Sequence, residues 1–186
     1  MRMRLGLGLL AGSLIAIAGC QRGPDKMPAP FAMTEDAMGR YCGMNILEHP
    51  GPKGQVILAK YDEPIWFSSA RDTIAFTMLP EEPKDIRAVY VSDMAKAPNW
   101  DNPGINNWVN AKDAFFVIGS DKKGGMGAAE AVPFSSSESA RAFASEHGGQ
   151  VLNFTDLPRD YVLGQESETV SDRGSDPQSL DPDNVN

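Results

Sequence analysis

Three side chains close together in this sequence carry soft donor atoms at spacings that suit one metal ion. Cys42 and Met44 flank a single glycine in Tyr41-Cys42-Gly43-Met44, and His49, one of only 2 histidines in the chain, follows in His49-Pro50-Gly51-Pro52. In an extended segment Cys42 and Met44 project from one face, roughly 7 Å apart along the strand, and a single ion can bridge them. Gly43 leaves the opposite face bare and permits close backbone approach or a turn. The Pro50-Gly51-Pro52 run forces a reversal that could return the imidazole to the same ion. Thiolate, thioether and imidazole together favour Cu(I) over hard cations, and the mixture argues against a four-thiolate zinc site.

The second cysteine bears on the first. Residues 1–19 read as an export signal, with Arg2 and Arg4 ahead of an apolar run, Leu5 to Ala18, that is too short to span a bilayer comfortably. Ile17-Ala18-Gly19-Cys20 resembles a bacterial lipobox, in which Cys20 is diacylated and becomes the new N-terminus; the plainer alternative is a secretory signal with a coincidental cysteine. A lipidated Cys20 anchors the chain stably in a bilayer and leaves Cys42 without a disulfide partner in an oxidising compartment. Such a thiol is buried and inert, oxidised in passing, or protected as a metal-bound thiolate.

Other candidates lie further along. Gly124-Gly125-Met126-Gly127 lacks the Lys-Ser or Lys-Thr ending and the strand-loop-helix frame of a phosphate-binding loop. Its methionine is either a mobile exposed thioether or one placed to meet a soft metal. Met94, at a strand end, reads as core rather than ligand. His147 falls on the stripe Ala140, Phe143, Ala144, His147 and in the last turn of a helix, a structural place. No Ser-His-Asp context, metalloprotease helix or dinucleotide fingerprint is present, so the chain does not read as an enzyme. Cys42 acting as nucleophile with His49 as base is a minor alternative, because catalytic pairs usually come from separate parts of a fold.

These residues need a frame, and the chain supplies one twice. Trp66-Phe67-Ser68-Ser69 and a run ending in Ala75-Phe76 are echoed 67 residues later by Pro133-Phe134-Ser135-Ser136 and a run reaching Ala142-Phe143. Ser69-x-x-Asp72 and Ser135-x-x-Glu138 resemble helix capping boxes. The class is α+β: two related small ββαβ-type units with mainly antiparallel strands. Residues 20–36, containing Pro24, Pro28 and Pro30, read as a lipidated tether that lifts the body off the membrane. The first unit takes 37–85 and the second 86–163. Residues 164–186, with 6 acidic residues against one Arg and no aromatic, form an acidic tail whose composition predicts disorder. The net charge of −8 repels nucleic acid and anionic lipid.

Several stretches, in order, resemble the NosL family, lipoprotein accessory factors of bacterial nitrous oxide reductase. They are Cys42-Gly43-Met44, His49-Pro50-Gly51-Pro52-Lys53, Val89-Tyr90-Val91-Ser92-Asp93-Met94, Trp108-Val109-Asn110-Ala111, Val117-Ile118-Gly119-Ser120, Gly124-Gly125-Met126-Gly127, Glu130-Ala131-Val132-Pro133-Phe134 and Gly148-Gly149. The resemblance covers roughly Met38 to Asp160, with the lipobox in place, and departs at Ala95, where the family often has glycine. It implies a fold of two similar ββαβ-type units and a copper chaperone, lipid-anchored to a bacterial membrane, the outer one expected, and facing the periplasm. Such a protein binds Cu(I) and passes it to the nitrous oxide reductase apoprotein for its multinuclear copper centre, together with an associated membrane transporter complex. Family ligands carry over onto Cys42 and Met126, with Met44 and His49 as further or alternative ligands, and Asp93 is placed to orient a ligand without touching the metal. The alternatives are a metal-free structural lipoprotein docking to a membrane complex and a thiol enzyme using Cys42 as nucleophile.

Overall fold

A computed structural model describes residues 26–164. The export signal, Cys20, the first tether residues and the acidic tail beyond Gly164 lie outside the described residues.

The strands form two antiparallel sheets. The first comprises β1 (Gly54–Leu58), β2 (Ile65–Phe67), β3 (Ile86–Ser92) and β4 (Trp108–Asn110) in the order β2-β1-β3-β4. The second comprises β5 (Phe115–Ile118), β6 (Val132–Phe134) and β7 (Gln150–Asn153) in the order β6-β5-β7. Helix α1 (Ala70–Met78) follows β2, α2 (Ser137–His147) follows β6, and a short α3 (Arg159–Leu163) ends on a left-handed Gly164. Each unit therefore runs strand, strand, helix, strand, with its first strand central, and β2 and β6 are related by the 67-residue offset of the sequence repeat.

The boundary between units moves. Sequence divides the units at residue 86, with Ile86 to Asp93 readable as closing the first unit or opening the second; β3 pairs antiparallel along β1 and β4 pairs with β3, so both join the first sheet. The long run of β-branched residues in β3 explains this: a central strand buried on both faces belongs to the larger sheet. The second cap also moves by one residue. Ser69 Oγ accepts from Asp72 N as expected, whereas α2 is capped by Ser136, which accepts from Ser139 N, and not by Ser135. The repeat offset pairs Ser69 with Ser136, and geometry follows the repeat rather than the Ser135-x-x-Glu138 pattern.

The inner face of the first sheet (Val56, Leu58, Phe67, Val89, Val91) shares one core with Ile74 and Phe76 of α1, Phe116 and Ile118 of β5, and Val162 of α3. On the other side of β5, Val117 packs with Val132, Phe134 and Ala140. Two units thus bury a single core, which fixes the loops at their seam relative to each other.

The tether is not free over its whole length. Tyr90 Oη donates to Pro28 O at 2.7 Å, Arg87 donates to Lys26 O at 3.2 Å, and the buried Gln55 side chain both accepts from Phe31 N at 2.8 Å and donates to Phe31 O at 2.9 Å. From Lys26 on, the segment is strapped over the outer face of the first sheet rather than lifting the body off a surface. Pro28 and Pro30 lack N–H groups and pre-set extended backbone, so the segment presents mainly carbonyls, and long side chains of the sheet supply the donors. Met33, Ala37 and Ile46 complete the cover against Trp66 and Trp108.

Candidate metal site

Cys42 sits in a closed turn, not in the extended segment its spacing suggests. Gly39 N donates to Met44 O and Gly43 N to Gly39 O, both at 2.8 Å, and Gly43 adopts φ +64°, a left-handed conformation that closes the turn at little cost. The thiol folds back over the turn, with Sγ 3.8 Å from Met44 O. A Cβ at Gly39 would lie only 2.4 Å from that sulfur, so the glycine makes the space the thiol occupies. Cys42 is free and partly accessible, and Met44 beside it is exposed.

Asn45 ends this turn and starts a single 3₁₀ turn, Ile46–Glu48, by accepting from Leu47 N at 2.9 Å. Ile46 is fully buried and pins the segment. His49 follows at the point of the Pro50-Gly51-Pro52 reversal. Two carbonyls of that reversal, Pro50 O and Gly51 O, accept from the buried Lys53 Nζ at 3.1 and 2.5 Å, and Gly51 N donates to Trp100 O at 2.8 Å. His49 Nε2 is buried and has no hydrogen-bond partner, a costly state for a ring nitrogen that nothing else uses. The residue also borders a cavity of about 290 Å3 with Met33, Leu47, Lys53, Asp101 and Ile105.

Met126 comes from the second unit. Gly124 N donates to Ala128 O and Gly127 N to Gly124 O, making a tight loop with Met126 exposed at its tip. Gly125 is pressed on the other half of the site: a Cβ there would lie 2.5 Å from His49 Cβ and 3.2 Å from Pro50 O. The structure therefore brings the Met126 loop onto the His49 reversal, two elements far apart in sequence. Cys42 and Met44 share the turn that precedes that reversal.

Beneath the loop lies a buried carboxylate. Glu130 Oε1 accepts from Arg71 N at 2.8 Å, Ala131 N at 2.9 Å and Ser69 Oγ at 3.2 Å, while Oε2 has no partner and lies where a side chain at Gly124 would be. Burial pushes Glu130 up to about 7 against those donors, and burial pulls Lys53 down to about 8 against the attraction of Glu130. Sequence reading met Lys53 and Glu130 only inside longer patterns and missed the role of Gly39; no periodicity marks any of the three.

Asp93 bonds to no candidate ligand in this structure. Its Oδ1 accepts from Ser135 N at 2.9 Å and Ala95 N at 3.1 Å, and Lys96 Nζ lies 2.9 Å from Oδ2. Burial alone would raise its pKa, but these bonds outweigh it and hold the carboxyl below the usual range. Asp93 ties β3 to β6, next to the bond from Met94 N to Pro133 O, and none of its partners is a candidate ligand. His147 is structural as expected, with its ring 4.5 Å from Phe143 and Nδ1 3.1 Å from Asp121 Oδ1. Among the described residues, no group of three His, Cys, Asp or Glu side chains gathers to hold a metal, so any site at this seam relies on thioethers.

A sequence model of the NosL family matches residues 30–162. This chain belongs to the NosL family. It is 44% identical over 184 residues to the copper-binding lipoprotein NosL of Achromobacter cycloclastes, covering 98% of this chain and 93% of that one. It is 31% identical over 175 residues to the copper-binding lipoprotein NosL of Stutzerimonas stutzeri, covering 92% and 89%. The crystal structure of the copper chaperone NosL from Shewanella denitrificans superposes with a TM-score of 0.65 at 34% identity, covering 70% of this chain and 96% of that one. The two-unit α+β fold is thus that of a NosL protein, and the names of these relatives describe copper binding and a copper chaperone rather than an enzyme.

Proposed function

We propose that this chain is a membrane-anchored Cu(I) chaperone that supplies copper to the nitrous oxide reductase apoprotein on the periplasmic side, for assembly of its multinuclear copper centre. The observation that carries the reading is the seam: the loop bearing Met126 is seated on the reversal bearing the unpartnered His49, and the turn that presents the free Cys42 thiol and Met44 precedes that reversal in the chain. Thiolate and thioether donors suit Cu(I), and exposed methionines on loops are displaced easily. Copper here is cargo. Cys42 supplies the anionic bond, Met126 and Met44 neutral ones, and His49 is available once its ring turns a free nitrogen to the ion. Relatives named copper-binding lipoproteins support both the metal and the anchor at Cys20.

Titrating the protein with Cu(I) against a chromophoric chelator tests the reading. Tight stoichiometric binding is expected, collapsing in Cys42→Ser and weakening in Met126→Ala. Affinity unchanged in both variants would overturn the site.

A further inference from the structure

The strapped tether has a direction. Lys26 is held by Arg87 near the Leu58–Ile86 end of the first sheet, Pro28 and Phe31 by Tyr90 and Gln55 further along, and Met33 N by Ile105 O at 2.9 Å beside the cavity that His49 borders. The register confirms the order, because Leu58 pairs with Ile86 at one end of the sheet and Gly54 with Val91 at the other. The His49 reversal precedes Gly54, so the strap climbs from one end of the sheet to the end that carries the His49–Gly125 contact. Five residue steps along β3 take Arg87 to Ser92, about 17 Å of rise.

We propose that this strap orients the anchored protein: it holds the Leu58–Ile86 end of the first sheet against the lipid bilayer and the His49–Met126 end away from it. The inference rests on lipidation of Cys20. Only six residue steps join Cys20 to Lys26, a covalent reach of at most about 20 Å, whereas a tether free up to residue 36 would reach more than twice as far. The end facing lipid is also suited to it. Lys26, Arg40, Lys60, Lys84 and Arg87 stand there against Asp62, Glu63, Glu81, Glu82 and Asp85, close to neutral in a chain of net charge −8, and Tyr61 is 60% exposed among them. An amphipathic ring of that kind sits well at headgroup level. The Met126 loop and His49 then stand at the aqueous end, while the Cys42 turn, held to Trp66 of β2 and to Glu82 through Arg40 and Tyr41, lies along the edge of the sheet.

The test uses the full-length lipidated protein in vesicles of phosphatidylethanolamine and phosphatidylglycerol that carry a headgroup energy acceptor. A donor dye is placed at Lys60→Cys or at Asp101→Cys, each in a Cys42→Ser background. Energy transfer is expected to be stronger from position 60 than from position 101, and the difference is expected to be lost when Gln55→Leu and Tyr90→Phe release the strap. Amide exchange at Phe31 reports the release directly: protection by the Gln55 side chain should disappear in Gln55→Leu while the amides of β1 and β3 stay protected, which separates an opened strap from an unfolded body. Equal transfer from both positions with Phe31 protected would overturn the orientation. Protein that fails to float with the vesicles and has an unmodified Cys20 mass would overturn the anchor itself, and the orientation with it.

Discussion

At the scale of single residues, the proposed site depends on two glycines as much as on its sulfurs. Gly39 makes room for the Cys42 thiol and Gly125 lets the Met126 loop touch His49, with a Cβ at either position lying within 2.4 or 2.5 Å of a heavy atom. In Gly39→Ala the obstacle is the thiol itself, so the sulfur swings away or the turn opens; in Gly125→Ala the obstacle is His49 Cβ, which cannot move without its backbone. Overpacking of this kind costs about 1–3 kcal/mol; where that strain falls on the copper-binding geometry, at about 1.4 kcal/mol per decade Cu(I) affinity should fall about fivefold to a hundredfold in both variants. Chelator competition reads this directly. Wild-type affinity in Gly125→Ala would mean that the two halves of the seam need not touch for binding. The candidate donors stand out in the sequence, because sulfur and imidazole announce their chemistry by type. The glycines were not legible in that role, since a residue that works by lacking atoms leaves no pattern until its neighbours are known. Asp93 misled for the converse reason: a buried carboxylate beside a motif looks like a ligand's partner, while here it is consumed by Ser135, Ala95 and Lys96.

At the scale of elements, the two serine caps look equivalent and are not. Ser136 only caps α2, but Ser69 caps α1 and also donates to the buried Glu130 of the second unit at 3.2 Å. Ser136→Ala should therefore cost about 1 kcal/mol, the usual worth of a cap. Ser69→Ala loses that cap and removes a donor from a buried carboxylate, adding about 1–3 kcal/mol. Urea unfolding of both variants checks the ordering; equal losses would mean that Glu130 draws nothing from Ser69. Strand-serine-helix grammar made both helices and the ββαβ repeat readable, because caps and apolar runs are local signals. The strap and the membership of β3 and β4 were not readable, since each is decided by partners distant in sequence: Gln55 for Phe31, Tyr90 for Pro28, and β1 for β3. A proline-rich stretch with few apolar residues looks like a linker whether or not a sheet face happens to supply donors for its carbonyls. Even the local turn at Cys42 escaped, because Gly43 permits both the extended and the left-handed form and only the bonds from Gly39 choose between them.

At the scale of the whole molecule, the seam between units buries two ionisable groups from distant parts of the chain, Lys53 and Glu130, and this gives stability an unusual dependence on pH. Burial raises Glu130 from 4.5 to about 7, so between those values the folded state holds more protons than the unfolded one, and stability falls as pH rises through the interval. Burial lowers Lys53 from 10.5 to about 8, so between 8 and 10.5 the unfolded state holds more protons, and stability recovers as pH rises. Both groups are charged together near pH 7 to 8, where the desolvation cost is largest and is offset by the hydrogen bonds to Glu130 from Arg71, Ala131 and Ser69, by those from Lys53 to Pro50 and Gly51, and by the attraction of Lys53 to Glu130. The contribution of the pair to stability should therefore pass through a minimum there. Urea unfolding across the pH range should show the fall on the acid side abolished in Glu130→Gln and the rise on the alkaline side abolished in Lys53→Met. Each substitution leaves its partner charge unpaired, so the double variant is the decisive one. It keeps the shape of both side chains, removes both ionisations, and should lie flat from pH 5 to 9 apart from titrations elsewhere in the chain, such as Asp93, whose depressed carboxyl acts only at lower pH. A double variant that keeps the wild-type minimum would show that the dependence arises elsewhere and that the seam is held by packing alone.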